Sequence, residues 1–508
     1  MEPFPKTLDR GEARAVDRVE VSKSALAIRK LRSAVLQRSC GLLSLTLSAC
    51  MVGPDYEKPG AKTPSAWSEQ EARSMAGLDS DSDPDPKWWR ALGDADLEAL
   101  VRRAVNRNQD LAQATQRARM ARSLIGVAEA RLQPAIGAGG SYTRARISEN
   151  FPVLERFIQS GQVSPRQDLY SATFDAGWEI DLFGGSRRGV QAASARAEAA
   201  QAGRRQVLLT VVAETARNYV MLRRSQAQAT ALERSIALSE ETAELARRQK
   251  LSGTGTQLDI ERSLAGLRAL EARLPAVLGR EAAAAYRLAV LTSDSPAALY
   301  RKLARRKPVP APPDLVPTGL PGSMLKRRPD VLRAERMLAA AVAEVGVNVT
   351  RLYPRFSLTG LAGSQVTSFT NLANSGSGTW MIVPGMNWEV FQGGAIRASI
   401  EAAQAGSQEA LAGYRATILE AVAETEGALT RYARAYEARR KMAASVRHLE
   451  ASVELARKAH EAGVSSLFEV LDAQRRLAEG RQELASARAE VLLALVSLNK
   501  ALGGGWPT

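Results

Sequence analysis

The sequence predicts a mainly α-helical chain with a small membrane β-barrel, built from two copies of one structural unit. Three observations support this fold class. Two Ala-rich helical segments, residues 186–252 and 395–462, are far longer than the helices of globular domains. Short stretches rich in aromatic residues alternate between apolar and polar positions with a period of two. Landmarks of the first half recur in the same order in the second half, 220 residues later up to Pro134 and 210 residues later from Trp178 onwards.

The composition limits the classes of function. Of 508 residues, 45% are hydrophobic and 24% are charged, so the chain can bury a core. Two histidines and two cysteines disfavour His-dependent hydrolases, multi-ligand zinc sites and disulfide scaffolds. No run of 18 apolar residues is present, which disfavours an ordinary membrane-spanning helix and therefore an inner-membrane carrier. We expect neither an enzyme nor a metal or cofactor site.

Residues 1–49 have the features of a secretory signal peptide with an N-terminal extension. Basic residues precede a short apolar run that begins at Cys40, and small residues stand directly before Cys50. The order Leu47-Ser48-Ala49-Cys50 resembles the bacterial lipobox, which implies cleavage before Cys50 and covalent lipid on that residue. The alternative is a short buried helix with an incidental cysteine. Residues 50–87 would then form a lipid-anchored, irregular tether.

An internal repeat organises the rest of the chain. Trp178-Glu179-Ile180 recurs as Trp388-Glu389-Val390, and Gly253 recurs as Gly463, both at a spacing of 210 residues. The spacing predicts four regions: a first repeat at 88–307, a Pro-rich connector at 308–322, a second repeat at 323–502 and a C-terminal tail at 503–508.

Each repeat has the same predicted order of elements. A first helix ends before a proline, Pro134 or Pro354, because proline cannot continue a helix. Two strand-like segments and a glycine pair follow, and the chain then enters one of the two very long helices. Gly253 and Gly463 end these helices, and a partner helix returns antiparallel to each of them.

The strand prediction is clearest at residues 170–182, where seven apolar positions alternate with small or polar ones. In the second repeat, Trp380, Ile382 and Trp388 share a face, and we expect Pro384 to interrupt the strand. Segments of about 9–11 alternating residues are what a membrane-spanning strand needs. The alternative is the edge of a soluble sandwich.

Four strands per chain cannot close a barrel alone. In lipid, each unpaired backbone group at an open edge costs several kcal/mol. We therefore expect strands from several copies to close one barrel, with two copies and three copies both compatible with the residues. Eight-stranded barrels fill with side chains, whereas larger barrels leave a lumen.

At this point the chain resembles a known family, the TolC-like outer membrane efflux proteins of the nodulation-T type. The resemblance spans roughly residues 47–506 and rests on the order and spacing of several motifs. The matching stretches include Trp88-Trp89-Arg90-Ala91-Leu92-Gly93-Asp94, Arg328-Pro329-Asp330, Tyr353-Pro354-Arg355-Phe356 and Val470-Leu471-Asp472-Ala473-Gln474-Arg475.

The resemblance implies a homotrimer. Its twelve-stranded β-barrel, with four strands per chain, would lie in outer membrane lipid and continue into a long antiparallel α-helical tunnel in the periplasm. It also implies a periplasmic adaptor (membrane fusion) protein and an inner-membrane pump of the resistance–nodulation–division class as partners. The expected function is passive export through a tripartite efflux system. A type I protein-secretion channel, a metal-efflux channel and a structural envelope lipoprotein without a pore are the alternatives.

The resemblance also suggests candidate functional residues near the two helix reversals. Acidic side chains in the family form a periplasmic gate, a constriction of the tunnel; the matching residues here are Glu469 and Asp472. The equivalent positions of the first repeat are Asp259 and Arg262, and we hypothesise a contact between Arg262 and Asp472. Three copies would bring the acids together, which favours cation binding and raises their pKa. The candidates for adaptor contact are Thr254, Gly255, Thr256, Val464, Ser465 and Ser466.

A basic coiled-coil protein that binds nucleic acid is a rival class, because the isoelectric point is near 10.0. However, Lys and Arg are spread among Glu along the predicted helices and do not form one stripe. A secretory signal would also separate the chain from nucleic acid. We therefore expect no nucleic-acid partner.

Overall fold

The structure, a computed structural model, describes residues 51–60, 64–68, 76–150, 152 and 155–504. The predicted signal peptide and Cys50 lie outside these residues. The chain divides into two compact units. We call them the sheet unit (residues 51–54, 128–190 and 343–401) and the helical unit (residues 55–127, 191–342 and 402–504).

The chain is mostly helical, as predicted. The first half contains β1 (Leu78–Asp79), α1 (Ala95–Arg107), α2 (Gln109–Ala130), β2 (Ala135–Arg146), α3 (Glu155–Gln159), β3 (Arg166–Ile180), α4 (Gly185–Leu251), α5 (Gln257–Glu271), α6 (Leu274–Thr292) and α7 (Pro296–Leu303). The second half contains β4 (Val316–Pro317), α8 (Pro321–Arg327), α9 (Pro329–Val349), β5 (Arg355–Val366), β6 (Gly378–Asn387), α10 (Ala395–Glu461) and α11 (Leu467–Ala501).

The two long helices end within one residue of their predicted limits. α4 and α10 each contain 67 residues, which corresponds to about 100 Å at a rise of about 1.5 Å per residue. The strands β2 and β5 each begin directly after the proline that follows the preceding helix, Pro134 and Pro354. None of the described helices has an apolar stretch long enough to cross a membrane.

The sheet unit contains one antiparallel sheet with the strand order β2-β3-β5-β6. Ile136 lies opposite Ala176, Trp178 opposite Leu358, and Ala362 opposite Trp380. Directly opposed residues in neighbouring strands share a face of the sheet. The register therefore combines the alternating patterns of four segments into two common faces.

Two details of the predicted strands were wrong. The strand β3 begins at Arg166 and ends at Ile180, so it starts four residues earlier than the alternation suggested. Pro384 does not interrupt β6, where it lies opposite Leu358. An edge strand tolerates proline because half of its N–H groups point away from the sheet and need no partner within it.

The core of the helical unit forms where α1, α4, α6, α8, α10 and α11 meet. Its fully buried side chains come from all six helices and include Leu97, Leu100, Leu222, Leu288, Met324, Leu429 and Leu492. Alanine is frequent among the other buried residues of these helices. Small residues allow long helices to pack closely along their length.

The predicted tether and the Pro-rich connector are packed together, which the sequence did not indicate. The strand β1 in the tether pairs in parallel with β4 in the connector, through Leu78 and Val316. The buried indole of Trp67 donates a hydrogen bond to the carbonyl of Gly319 (2.7 Å). The described part of the tether is thereby fixed to the helical unit.

The returning helix is broken in the first half and continuous in the second. Pro275 stands in the first turn of α6, and the regular helical hydrogen bonding is interrupted between Glu271 and Leu274, although Ala272 and Arg273 keep right-handed helical φ and ψ. The equivalent position in α11, 210 residues later, is Ala485, which lies inside an unbroken helix. The break follows from the missing N–H of proline and from the clash of its ring with the preceding turn.

Candidate functional site

The two helix reversals have the same backbone geometry. After α4, Gly253 has φ of +78°, its N–H donates to the carbonyl of Lys250 (3.0 Å), and the N–H of Thr254 donates to that of Gln249 (2.9 Å). This pair of hydrogen bonds is a Schellman motif, which requires left-handed backbone geometry at the glycine.

After α10, Gly463 has φ of +75° and makes the equivalent bond to His460 (2.9 Å). The N–H of Val464 donates to the carbonyl of Ala459 (2.9 Å). The two predicted reversals are therefore matched in hydrogen bonding as well as in sequence position.

Thr256 and Asp259 close the first reversal with a capping box. The hydroxyl of Thr256 accepts the N–H of Asp259 (3.2 Å), and the carboxylate of Asp259 accepts the N–H of Thr256 (3.0 Å). The Thr256 hydroxyl donates to the same carboxylate, and these bonds hold the pKa of Asp259 below its ordinary value. Both of these sequence-predicted residues serve the start of α5.

His460 connects the ends of the two long helices. The amide nitrogen of Gln249, near the end of α4, donates to Nε2 of His460 (2.9 Å). The Nδ1 atom of the same imidazole donates to the carbonyl of Ser465 (3.0 Å). These two bonds fix the second reversal to the end of α4, and sequence analysis did not identify this role for His460.

Asp472, a predicted gate residue, is paired on its own helix. Arg475 donates to its Oδ1 atom (2.6 Å), and Nε of Arg476 lies 2.7 Å from its Oδ2 atom. The hydrogen bond from Arg475 is the main cause that holds the pKa of Asp472 below its ordinary value. Sequence analysis missed both arginines, although their spacing of three and four residues is the spacing of helical ion pairs.

The hypothesised contact between Arg262 and Asp472 is not an ion pair in the structure. The guanidinium of Arg262 lies over the ring of Phe468, 5.4 Å from its centre. Arg475 and Arg476 already occupy both oxygens of Asp472. Arg262 and Asp472 nevertheless line the same cavity, because α5 packs against α11.

Glu469 is exposed in the first turn of α11. Within the described part of the chain its side chain has no ion pair, in contrast to Asp472. An acidic side chain in this position is favoured by the positive end of the helix dipole. No group of three or more His, Cys, Asp or Glu side chains that could hold a metal ion occurs among the residues that the structure describes.

The sheet has one strongly apolar face. The register brings onto it large side chains from all four strands: Ile136, Tyr142, Phe174, Trp178, Phe356, Leu358, Trp380 and Ile382. Several of them are exposed within the single chain, with 75% of Trp380 and 65% of Phe174 accessible. An exposed apolar surface of this kind marks an interface with lipid or protein.

The opposite face is small and largely polar. It carries Ser141, Ser171, Thr173, Asp175, Ser357 and Thr359, together with several glycines. The hydroxyl groups of Ser141 and Ser171 are 2.7 Å apart across two strands. Leu361, Met381 and Val383 are apolar exceptions, so this face is less uniformly polar than the first repeat suggested.

Both edges of the sheet are open within the described chain. The strand β2 pairs only with β3, and β6 pairs only with β5. Their outer N–H and C=O groups are therefore available to another strand.

The N-terminal end of the described chain is attached to the sheet unit. The N–H of Val52 donates to the carbonyl of Phe183 (3.2 Å), and Arg188 donates to the carbonyls of Val52 (3.2 Å) and Gly53 (3.1 Å). Arg188 is only 2% exposed. Cys50 lies outside the described residues, but this attachment begins within two residues of it.

Known proteins share this fold over nearly the whole chain. The outer-membrane channel OprN has a TM-score of 0.82 and 29% identity, covering 90% of this chain and 100% of that one. TtgC of Pseudomonas putida, a probable efflux pump outer membrane protein, is 30% identical over 472 residues (92% of this chain, 96% of TtgC). Nodulation protein T of Rhizobium leguminosarum is 26% identical over 470 residues (92% and 93%).

The solved structures that share this fold are TolC-like outer membrane channels, which combine a helical tunnel with a β-barrel. The sequence profile of the family named outer membrane efflux protein matches residues 100–293 and 320–504, one match in each half of the chain. The chain belongs to this family, whose members are outer membrane channel components of efflux systems.

Proposed function

We propose that three copies of the chain form one tunnel through which an efflux system exports its substrates. The single observation that carries this proposal is the four-stranded sheet that is open at both edges. In lipid, open edges leave backbone groups unpaired at a cost of several kcal/mol each. Pairing β6 of one copy with β2 of the next removes every edge when the ring closes.

The number three is supported by the family resemblance and by the need for a lumen. Three copies give a twelve-stranded barrel, and barrels wider than eight strands leave space inside. The apolar face of the sheet would then contact lipid and the small, largely polar face would line water. Export through such a tunnel would be passive, with the inner-membrane pump delivering the substrates and supplying the energy.

We place the barrel in the outer membrane, with lipid on Cys50 as a second attachment and the helical unit in the periplasm. The bonds of Arg188 to Val52 and Gly53 support this anchor, because they would hold the lipidated residue near the sheet. A periplasmic adaptor protein and an inner-membrane pump of the resistance–nodulation–division class are the proposed partners. The description of TtgC as part of an efflux pump favours this arrangement.

We propose that Glu469 and Asp472 form the periplasmic gate. Three copies would bring three of each carboxylate to one constriction, where like charges attract cations. Glu469 has no ion pair within the described residues, whereas Arg475 and Arg476 partly neutralise Asp472. Glu469 is therefore the stronger source of negative potential. Asp259 is committed to its capping box, so its contribution would be to hold the first reversal in place, and the guanidinium of Arg262 lies over the ring of Phe468.

Single-channel conductance in planar lipid bilayers tests the channel and its gate. The purified, lipidated protein should give discrete conductance steps, and replacing Glu469 and Asp472 together by alanine should enlarge them and reduce cation selectivity. Glu483→Ala is the matched control, since Glu483 is exposed further along α11.

The absence of any conductance would favour a structural envelope lipoprotein without a pore. Unchanged conductance in the double variant would reject the gate but leave the channel intact. A type I secretion channel or a metal-efflux channel would also conduct. Those alternatives are separated by identifying the pump that co-purifies with the protein.

The two reversals, Thr254–Thr256 and Val464–Ser466, are the proposed adaptor contacts. A photo-reactive residue at Ser465 should cross-link to the adaptor in intact cells. The same residue in place of Arg488, which is exposed in the second half of α11, is the control. Equal cross-linking from both positions would contradict a specific contact at the reversal.

A further inference from the structure

A cavity of about 300 Å³ lies within the helical unit, between α4, α5 and α11. Its walls are mostly apolar and include Leu238 of α4, Leu270 of α5, and Phe468, Leu471 and Leu477 of α11. This volume is at the lower end of the range of small-molecule sites, and such sites combine apolar walls with a few polar groups.

The charged residues around the cavity are mainly basic. Four arginines, Arg262, Arg273, Arg475 and Arg481, line it together with two carboxylates, Asp472 and Glu479. An excess of guanidinium groups beside apolar walls favours a ligand that is both apolar and negatively charged.

The carboxylates do not neutralise all of these arginines. Asp472 is paired with Arg475, which also lies 3.6 Å from Glu479. Arg481 is paired with Glu450 outside the cavity (2.9 Å).

Arg262 and Arg273 are the two cavity arginines that these carboxylates do not pair with. They have no ion pair with any residue that the structure describes, and Arg262 lies over the Phe468 ring of the cavity wall. Arg262 lies in the first half of α5, and Arg273 stands just after its end. A guanidinium without an ion pair among the described residues is therefore available at each of these two positions along the cavity wall.

We propose that this cavity binds an amphipathic organic anion. The apolar part of the ligand packs against Leu238, Leu270 and Leu471, and its carboxylate or sulfonate accepts hydrogen bonds from Arg262 or Arg273. A cation is disfavoured by the arginine excess. A neutral apolar molecule would gain nothing from either guanidinium.

The bound anion would also connect the two helical hairpins of the chain. The cavity is lined by α4 and α5 of the first hairpin and by α11 of the second. A ligand that contacts both hairpins stabilises the arrangement in which they are together. We therefore expect the anion to lower channel conductance; this consequence, unlike the binding itself, rests on the proposed channel function.

Binding is tested with 11-(dansylamino)undecanoic acid and the full-length protein in lipid nanodiscs. Dansyl emission should rise saturably above the signal of empty nanodiscs. The methyl ester of the probe, which has no charge, should bind at least roughly tenfold more weakly, since hydrogen bonds to charged groups are lost. Replacing Arg262 and Arg273 together by glutamine should weaken the acid to a similar degree, and the two single variants identify which arginine holds the carboxylate.

Two further variants separate binding from folding. Arg268→Gln is the matched control, because Arg268 is on α5, pairs with Glu271 and does not line the cavity. It should bind the acid as the wild type does. Gly266→Leu should abolish binding by filling the cavity, and it should fold, because a Cβ added at Gly266 meets no atom within 4 Å.

Three results would overturn the proposal. The first is equal affinity for the acid and its ester, and the second is unchanged affinity in the Arg262→Gln/Arg273→Gln variant. The third is a signal no larger than that of empty nanodiscs, as expected if a neighbouring copy of the chain fills the cavity. Conductance is recorded separately on the same samples, so failure to bind is distinguishable from failure to form a channel.

Discussion

At the scale of single residues, two tryptophans hold equivalent places in the two halves. The indole N–H of Trp178 donates to the carbonyl of Leu132 (3.1 Å), and that of Trp388 donates to the carbonyl of Leu352 (3.1 Å). In each half of the chain, the bond connects the end of the strand pair to the residues that lie between the preceding helix and the first strand. The sequence indicated the equivalence of the tryptophans, but not the bond that each one makes.

We expect Trp178→Phe and Trp388→Phe each to lower the free energy of unfolding by about 1 kcal/mol, since each change removes a donor from a protein–protein hydrogen bond. The measurement is chemical denaturation in detergent, followed by circular dichroism. Trp380→Phe is the control, because the Trp380 indole has no hydrogen bond among the described residues. A loss as large in Trp380→Phe would show that ring size, not the bond, is responsible.

Replacing a glycine of the reversals by alanine and replacing a glycine inside a helix by alanine are expected to have opposite effects on stability. Gly253→Ala and Gly463→Ala should each destabilise the protein by about 1 kcal/mol, because φ is near +75° at both positions. Gly279→Ala, inside α6, should stabilise it by about 0.5–1 kcal/mol. An added Cβ meets no atom within 4 Å at any of the three. Shifts of the same sign in thermal denaturation would contradict the Schellman geometry.

The capping box predicts a pH dependence at the start of α5. The pKa of Asp259 is below its ordinary value in the folded chain, so its stabilising effect is present above about pH 4 and is lost as the pH falls further. At pH 7, Asp259→Asn should lower the hydrogen-exchange protection of the first turn of α5 by roughly two- to fivefold. The difference between the two proteins should shrink as the pH falls below about 4. A difference that did not shrink on acidification would contradict a role for the charge.

At the scale of elements, one proline distinguishes the two returning helices. Pro275 separates α5 from α6, whereas Ala485 lies within the continuous helix α11. Ala485→Pro should therefore cost about 3 kcal/mol or more, while Ala485→Gly should cost only about 1 kcal/mol. Thermal denaturation of the two variants provides the measurement. Equal losses would show that packing at this buried position, rather than the helix backbone, determines the cost.

Sequence patterns predicted the elements that depend on local signals and missed those that depend on distant contacts. Gly253, Gly463, Pro134 and Pro354 act on the backbone next to them, so the ends of α4 and α10 and the starts of β2 and β5 were predictable. The pairing of Leu78 with Val316 joins segments that carry no alternating pattern, and no local signal marks it. The prediction that Pro384 interrupts the strand was wrong because the sequence of one strand does not show that β6 lies at the edge of the sheet; that location is a property of the whole sheet.

The same distinction applies to the candidate site. The reversals were located correctly because glycines mark them. The partners of Asp472 and Arg262 were not predicted correctly, because each side chain had several possible partners at similar spacing. Arg475 and Arg476 lie on the same helix as Asp472 and meet its carboxylate without any rearrangement between helices. Local pairs of this kind should be considered before pairs between helices.

At the scale of the whole molecule, the account depends on how the open edges of the sheet are paired. The family resemblance supplied the number three, whereas the alternating strands indicated only that copies must share a barrel. The measurement that tests this most directly is disulfide cross-linking between Gly139→Cys in β2 and a cysteine in β6, placed in turn at Thr379, Met381 and Val383. All four positions lie on the small, largely polar face of the sheet.

We expect at least one of these pairs to give covalent dimers and trimers in native outer membranes, with the series ending at three chains because the ring is then closed. Each single-cysteine variant should remain uncrosslinked. A protein that stays monomeric with every pair, or a series that continues beyond three chains, would contradict a closed barrel shared by three copies.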